Sequence, residues 1–271
     1  MSFANQPRPT NALVVTASCA LTTLALSPSA ARADAGPPYL TNDPGTPGNG
    51  NWEINIGALP AIGRDLAAYQ LPQIDANFGL GERVQLTYEI PYVLASRTGE
   101  PHTSGWSNAL PGVKWRFFDQ GGEGWQLSTF PQLETAGSAA AQSRGIAAAG
   151  PRLLLPLEVA KTYGAFKVDF EAGYYFPRHG PNESILGLVA GRAVTPRLEL
   201  DGELYDDHVL GAAPVITLDF GGRYKLHRGF ILLFMAGRSL SSGCANEVQF
   251  MGYLGIQVLL SDYGRTLTPE S

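Results

Sequence analysis

From Trp52 to Val258 apolar side chains recur at every second position, the period of a β-strand, and nowhere convincingly at the spacing of a helical face. Trp52, Ile54, Ile56 and Ala58 alternate with Glu53, Asn55 and Gly57; Ile74, Ala76, Phe78 and Leu80 with Gln73, Asp75, Asn77 and Gly79; Val84, Leu86, Tyr88 and Ile90 with Gln85, Thr87 and Glu89. A fourth segment sets Val113, Trp115 and Phe117 against Lys114 and Arg116, and a fifth sets Trp125, Leu127 and Leu133 against Gln126, Ser128, Gln132 and Glu134. A sixth runs near Arg152 to Lys161, and a seventh alternates Phe166, Val168, Phe170, Ala172 and Tyr174 with Lys167, Asp169, Glu171, Gly173 and Tyr175. The ninth, tenth and twelfth, near Leu198–Tyr205, Ile216–Tyr224 and Val248–Val258, repeat the pattern. The eighth (Ile185–Ala193) and eleventh (Phe230–Arg238) are apolar on both faces, so their facing stays open.

Twelve such segments is the even number expected of a single-chain bacterial barrel with both ends on one side of the membrane. The connections agree: Gly81–Arg83, Asp119–Gly124, Thr162–Ala165, Thr195–Arg197 and His227–Gly229 are short, whereas Ala95–Gly105, Ala136–Gly145, Pro177–Ser184 and Asp206–Pro214 are longer. The expected fold is therefore all-β, a closed antiparallel transmembrane β-barrel of about twelve strands, with short periplasmic turns and longer extracellular loops. Pro72, Pro91, Pro111, Pro131 and Pro156 test this count, because a closed barrel has no edge strand to take them; they must lie at bulges or rims. A soluble calyx-like carrier alternates too, with its apolar face inward, but eight strands would suffice for it.

Composition narrows the class. Only 16% of residues are charged, against roughly 25% in soluble domains, too little to coat a water-facing surface. A net charge of −5 without a Lys/Arg cluster excludes a nucleic-acid partner. Residues 1–35 read as a cleaved signal peptide: Arg8, an apolar stretch from Ala12 to Leu26, then A-x-A sites at Ala31–Ala33 and Ala33–Ala35, with cleavage after Ala35 preferred. Residues 36–50, rich in Pro, Gly and Asn, form an N-terminal lead-in that either hangs free or enters the lumen as a plug burying Pro37, Pro38, Tyr39 and Leu40. The barrel covers residues 51–260 and a C-terminal tail covers 261–271.

An Arg or Lys facing hydrocarbon at the midplane costs about 2 to 4 kcal/mol, so the charged face points inward. The expected lumen lining is Glu53, Asp75, Glu89, Lys114, Arg116, Arg152, Glu158, Lys167, Asp169, Glu171, Glu199, Asp201, Glu203, Asp219 and Arg223. These charges either pair and fill the interior or line a water-filled path that selects what passes. Aromatic girdles are expected at Phe78, Phe117, Phe118, Trp125, Tyr163, Phe166 and Tyr224 on the periplasmic side and at Tyr92, Trp106, Tyr174, Phe176 and Tyr205 on the outside. No catalytic, metal or cofactor site is expected: His102, His179, His208 and His227 fall in predicted loops or turns, Asp206-Asp207-His208 is a weak candidate for a rim cation, and Cys244 is a loop thiol without a base.

Gly36-Pro37-Pro38-Tyr39-Leu40-Thr41-Asn42-Asp43-Pro44 followed by Gly50-Asn51-Trp52-Glu53 resembles the opening of the outer-membrane proteins of the putative MetA-pathway of phenol degradation family. Shorter likenesses follow at Gly112–Phe117, Phe130-Pro131 with Glu134, Leu155-Pro156, Val194–Leu198 with Gly202–Leu204, Gly237-Arg238 and Tyr253–Gly255. The resemblance implies a barrel in the outer membrane of a Gram-negative cell, with transport of small solutes, aromatic or hydrophobic ones in particular. Partners would be outer-membrane lipid, the solutes and the barrel-assembly machinery. The chain departs from barrels that end on an aromatic, since Leu259-Leu260 are followed by eleven further residues.

Overall fold

The computed structural model describes residues 36–241 and 248–261. The proposed signal peptide, Cys244 and nearly all of the C-terminal tail lie outside the described residues. Fourteen strands run in chain order: β1 (Trp52–Gly63), β2 (Leu66–Leu80), β3 (Val84–Arg97), β4 (Thr103–Trp106), β5 (Leu110–Asp119), β6 (Trp125–Thr129), β7 (Gln132–Glu134), β8 (Arg152–Tyr163), β9 (Phe166–Pro177), β10 (Glu183–Ala193), β11 (Leu198–Val209), β12 (Val215–His227), β13 (Phe230–Ser239) and β14 (Val248–Leu260). One short helix, α1 (Ala139–Ser143), lies in the connection between β7 and β8.

Each strand pairs antiparallel with its neighbours, and β1 pairs with β14 from Trp52↔Leu260 onward, which closes the sheet. β4 and β5 both pair with β3, and β6 and β7 both pair with β8, so each couple is one interrupted stave and the barrel has twelve. Among the described residues closure leaves no free edge to the sheet, whose backbone groups hydrocarbon could not satisfy.

The five prolines fall where the ladder is already interrupted. Pro72 sits in the register slip of β2 between Gln70 and Gln73, and Pro91 pairs with Gln73 beside the same slip. Pro111 follows the break between β4 and β5, and Pro131 lies in the break between β6 and β7. Pro156 faces that second break, its carbonyl accepting from Thr129 Oγ1 at 2.7 Å. A missing N–H is thus tolerated without an edge strand.

Facing follows the sequence parity over most staves. Leu254 (61% exposed) and Phe220 (64%) look outward, while Asp75, Lys114, Glu158 and Asp219 are buried within the cylinder. The open parity of two staves is resolved: in β10 Ile185 and Val189 point in and Leu186 and Leu188 out; in β13 Ile231, Leu233 and Met235 point in and Phe230 out. The slip in β2 reverses parity locally, so Tyr69 and Leu71 face outward although Phe78 on the other parity does too.

Several expectations need correction. Tyr205 shares the parity of Asp201 and Glu203 and points inward rather than joining an outer girdle. His208 and His227 lie in β11 and β12, not in loops. Because Asp206-Asp207-His208 is strand, its side chains alternate between faces and do not converge on a cation. The connection expected from Asp206 to Pro214 shrinks to residues 210–214, and that from Ala95 to Gly105 to residues 98–102, because the strands continue beyond the apolar band. Lys161, 5.4 Å from the ring centroids of Trp125 and of Tyr163, and Arg192, 5.2 Å from that of Phe166, face outward. Both stand near the short-turn rim among aromatics, where an outward cation costs only about 0–1 kcal/mol.

Candidate functional site: the barrel interior

The fifteen interior charges come from eight staves, and alternation places them because every second residue of a stave faces in. Asp75, Lys114, Glu158, Lys167, Asp169, Glu171, Asp201, Glu203, Asp219 and Arg223 are buried; Glu53, Glu89, Arg116, Arg152 and Glu199 are half-buried. They form three groups.

The first holds the N-terminal lead-in. Residues 46–51 rest on the short-turn rim: Gly50 N donates to Gly79 O at 2.8 Å, Gly81 N to Asn49 Oδ1 at 3.0 Å, and Thr46 Oγ1 to Glu82 O at 3.0 Å. From there the chain turns into the cylinder. Lys167 Nζ lies 2.6 Å from Asp43 Oδ2, and Lys114 Nζ donates to Asp43 O at 2.5 Å. Burial works to raise the Asp43 carboxyl, but Lys167 and then Lys114 outweigh it and hold it below its ordinary value. Three successive backbone N–H groups are taken by two carboxylates: Leu40 N by Glu203 Oε2 at 3.1 Å, Thr41 N by Glu203 Oε1 at 2.6 Å, and Asn42 N by Glu171 Oε2 at 2.7 Å. Such charge-assisted bonds also satisfy carboxylates that would otherwise be stranded in the interior.

The tip of the segment folds back on itself, Gly36 N bonding to Thr41 O at 2.7 Å, and Arg223 donates to Pro37 O at 3.1 Å. Tyr39 OH reaches Asp201 O at 3.2 Å, and the residue is buried in one apolar cluster with Val189, Ile231, Leu233, Met235, Met251 and Tyr253. The inward apolar faces of β10 and β13 therefore have a partner. Gly187 makes the approach of Thr41 possible: a Cβ there would stand 2.1 Å from Thr41 Oγ1.

The second group closes the long-loop rim. Arg152 pairs with Glu134 at 2.5 Å and Glu183 at 2.8 Å and lies 4.0 Å from the centroid of Tyr175. Nearby, the connection carrying α1 bends inward. Ile146 and Arg144 lie where a Cβ on inward-facing Gly105 would be, at 2.9 Å from each. Asn108, in the break between β4 and β5, accepts from Ala148 N at 2.8 Å and donates to Thr135 O, and Ser107 Oγ donates to Ile146 O at 2.6 Å.

The third group is a band of amides and carboxylates on β14, β1, β2 and β3. Asn55 Nδ2 and Asn77 Nδ2 each donate to Asp75 Oδ2 at 2.9 Å, Gln73 Nε2 donates to Glu89 Oε1 at 2.7 Å, and Gln85 Nε2 donates to Asn77 Oδ1 at 2.7 Å. The neutral members of this band, which carry no charge to mark them, were not among the expected lumen residues. Their alternation with Ile54, Ile74, Leu86 and Ile256 already set them on the polar, inward face.

No family model and no curated protein sequence matches this chain, so the likeness to the phenol-degradation family rests on its motifs alone. Solved structures do match. The COG4313 outer membrane channel from Pseudomonas putida F1 aligns with TM-score 0.64 at 12% identity, over 78% of this chain and 94% of that one. The KdgM porin aligns with TM-score 0.54 at 12% identity, over 76% and 98%, and the NanC porin with TM-score 0.50 at 8% identity, over the same shares. At such identities the likeness establishes architecture: this chain folds as a closed twelve-stave antiparallel barrel of the outer-membrane kind.

Proposed function

We propose that the protein is a channel of the bacterial outer membrane for passive passage of small solutes, and that residues 36–48 are a plug seated in its lumen. The apolar exterior suits it to lipid, with export and the barrel-assembly machinery as the route there. The observation that carries the reading is how the segment is seated. It is held by hydrogen bonds, one ion pair and one tyrosine ring inside a cylinder whose wall closes without it. A removable occupant of a complete barrel is the design of a gated pore, and the channel and porins of similar fold support the same reading. The inward apolar wall of Ile231, Leu233, Met235 and Met251 would give aromatic or hydrophobic solutes, the class implied by the family resemblance, a surface to slide along once Tyr39 leaves.

The bound segment and the inward connection at Ile146 also favour a second reading, a sealed barrel that displays its loops to a partner. Planar-bilayer recording separates the two. Deleting Gly36 to Gly48 is expected to raise single-channel conductance, with uptake of phenolic solutes rising in parallel. Conductance unchanged by the deletion removes the plug, and a barrel silent in both forms favours display.

A further inference from the structure

The interior is electrically divided, and the division bears on which solutes pass. On the side holding the N-terminal segment, Lys114 and Lys167 contact Asp43, and Arg223 contacts Pro37. The opposite wall, made by β14, β1, β2 and β3, carries no lysine or arginine except Arg97, at the far end of β3. Across that wall the register sets Gln257 beside Asn55, Asn55 beside Asp75, and Asp75 beside Glu89, a single row over four staves.

Within this row the amide donors other than Gln257 Nε2 turn to the carboxylates, and acceptors remain. The amide groups of Asn55 and Asn77 both turn to Asp75 Oδ2, and that of Gln73 turns to Glu89. Asn55 (1% exposed), Asp75 (6%) and Gln73 (9%) each keep one buried oxygen, Oδ1, Oδ1 and Oε1, to which no group among the described residues donates. No lysine or arginine stands within ion-pair distance of Asp75 or Glu89 among the described residues. A surface of two carboxylates and two unpartnered amide oxygens, with no lysine or arginine in its own row, repels anions and offers hard oxygen ligands to a cation.

We propose that the row Asn55–Asp75–Glu89, with Gln73, makes the open lumen selective for small cations and cationic solutes. The inference deepens the channel reading and rests on it. Release of the segment would free Lys114, on the stave beside β3, and Lys167 and Arg223 on the other wall, but Glu158, Asp169, Glu171, Asp201, Glu203 and Asp219 stand outside the row too, so the acidic balance survives.

The test is the reversal potential in planar bilayers under a KCl gradient, for the full mature chain and for the form lacking Gly36 to Gly48. Potassium is expected to outrun chloride in both. The preference should fall toward one in Glu89→Gln and further in Asp75→Asn/Glu89→Gln, with conductance kept. Glu89→Gln alone guards against a double variant that fails to fold. Current without cation preference, or preference unchanged in Glu89→Gln and in a folded double variant, overturns this inference and leaves the channel standing. No current from either form overturns the channel, and this inference falls with it.

Discussion

Lys167 on β9 and Asp43 in the N-terminal segment, 124 positions apart in the chain, meet as a buried ion pair with 2.6 Å between Nζ and Oδ2. The same ammonium also lies 3.2 Å from Asp169, so one cation serves the occupant of the barrel and its wall together.

Replacing that cation should therefore loosen the segment more than the barrel. Lys167→Ala leaves Asp43 and Asp169 facing each other, and breaking a buried pair in this way costs about 3–5 kcal/mol. Asp43 can escape by leaving the lumen, so the expected result is frequent opening in bilayer recordings and faster proteolysis of residues 36–48. The unboiled gel mobility of the barrel should be unchanged. A closed, protease-resistant variant would show that the pair does not hold the segment.

Gly187→Ala tests the seat sterically. The backbone of Gly187 is not in a conformation reserved for glycine, and the atoms its Cβ would meet most closely all belong to Thr41. The substitution should displace the segment, raising conductance about as far as deleting it does. Adding Thr41→Gly should restore the closed state, because it removes the atoms that collide. Equal conductance in the single and double variants would contradict the seating.

The outward face can be tested by depth. Leu254, mid-stave on β14, faces out at 61% exposure, and Leu80, at the short-turn end of β2, at 56%. Arginine at the first should cost about 2–4 kcal/mol of folding in lipid and at the second about 0–1. Urea titration of the folded fraction in vesicles measures both. Equal penalties would mean that Leu254 does not sit deep in hydrocarbon.

Much of the architecture was legible because alternation is a local property. Ile54, Ile56, Asn55 and Glu53 declare a strand and its two faces without reference to any partner, and the cost of charge in lipid then says which face is outside. Locality fails in two staves. Ile185–Ala193 and Phe230–Arg238 are apolar on both faces, so nothing within them could choose. The choice goes with Tyr39, which joins Val189 and Leu233 in one buried cluster from a distant part of the chain. Tyr69 and Leu71 lie beyond a register slip whose position depends on the pairing with β3. Arg192 and Lys161 faced outward because depth, not parity, sets the cost of a cation, and depth is measured along the barrel axis rather than along the sequence.

The amino-acid order by itself determined the number of staves, their inner and outer sides and the acidic balance of the interior, since each depends only on residues close together in the chain. Tertiary structure alone decided what those inner sides touch. That Glu203 and Glu171 hold the N–H groups of Leu40, Thr41 and Asn42, and that Asp75 and Glu89 face them across the cylinder with amides for company, follows from closing the sheet. Closure brings together groups separated by more than a hundred residues, and no local pattern encodes that meeting.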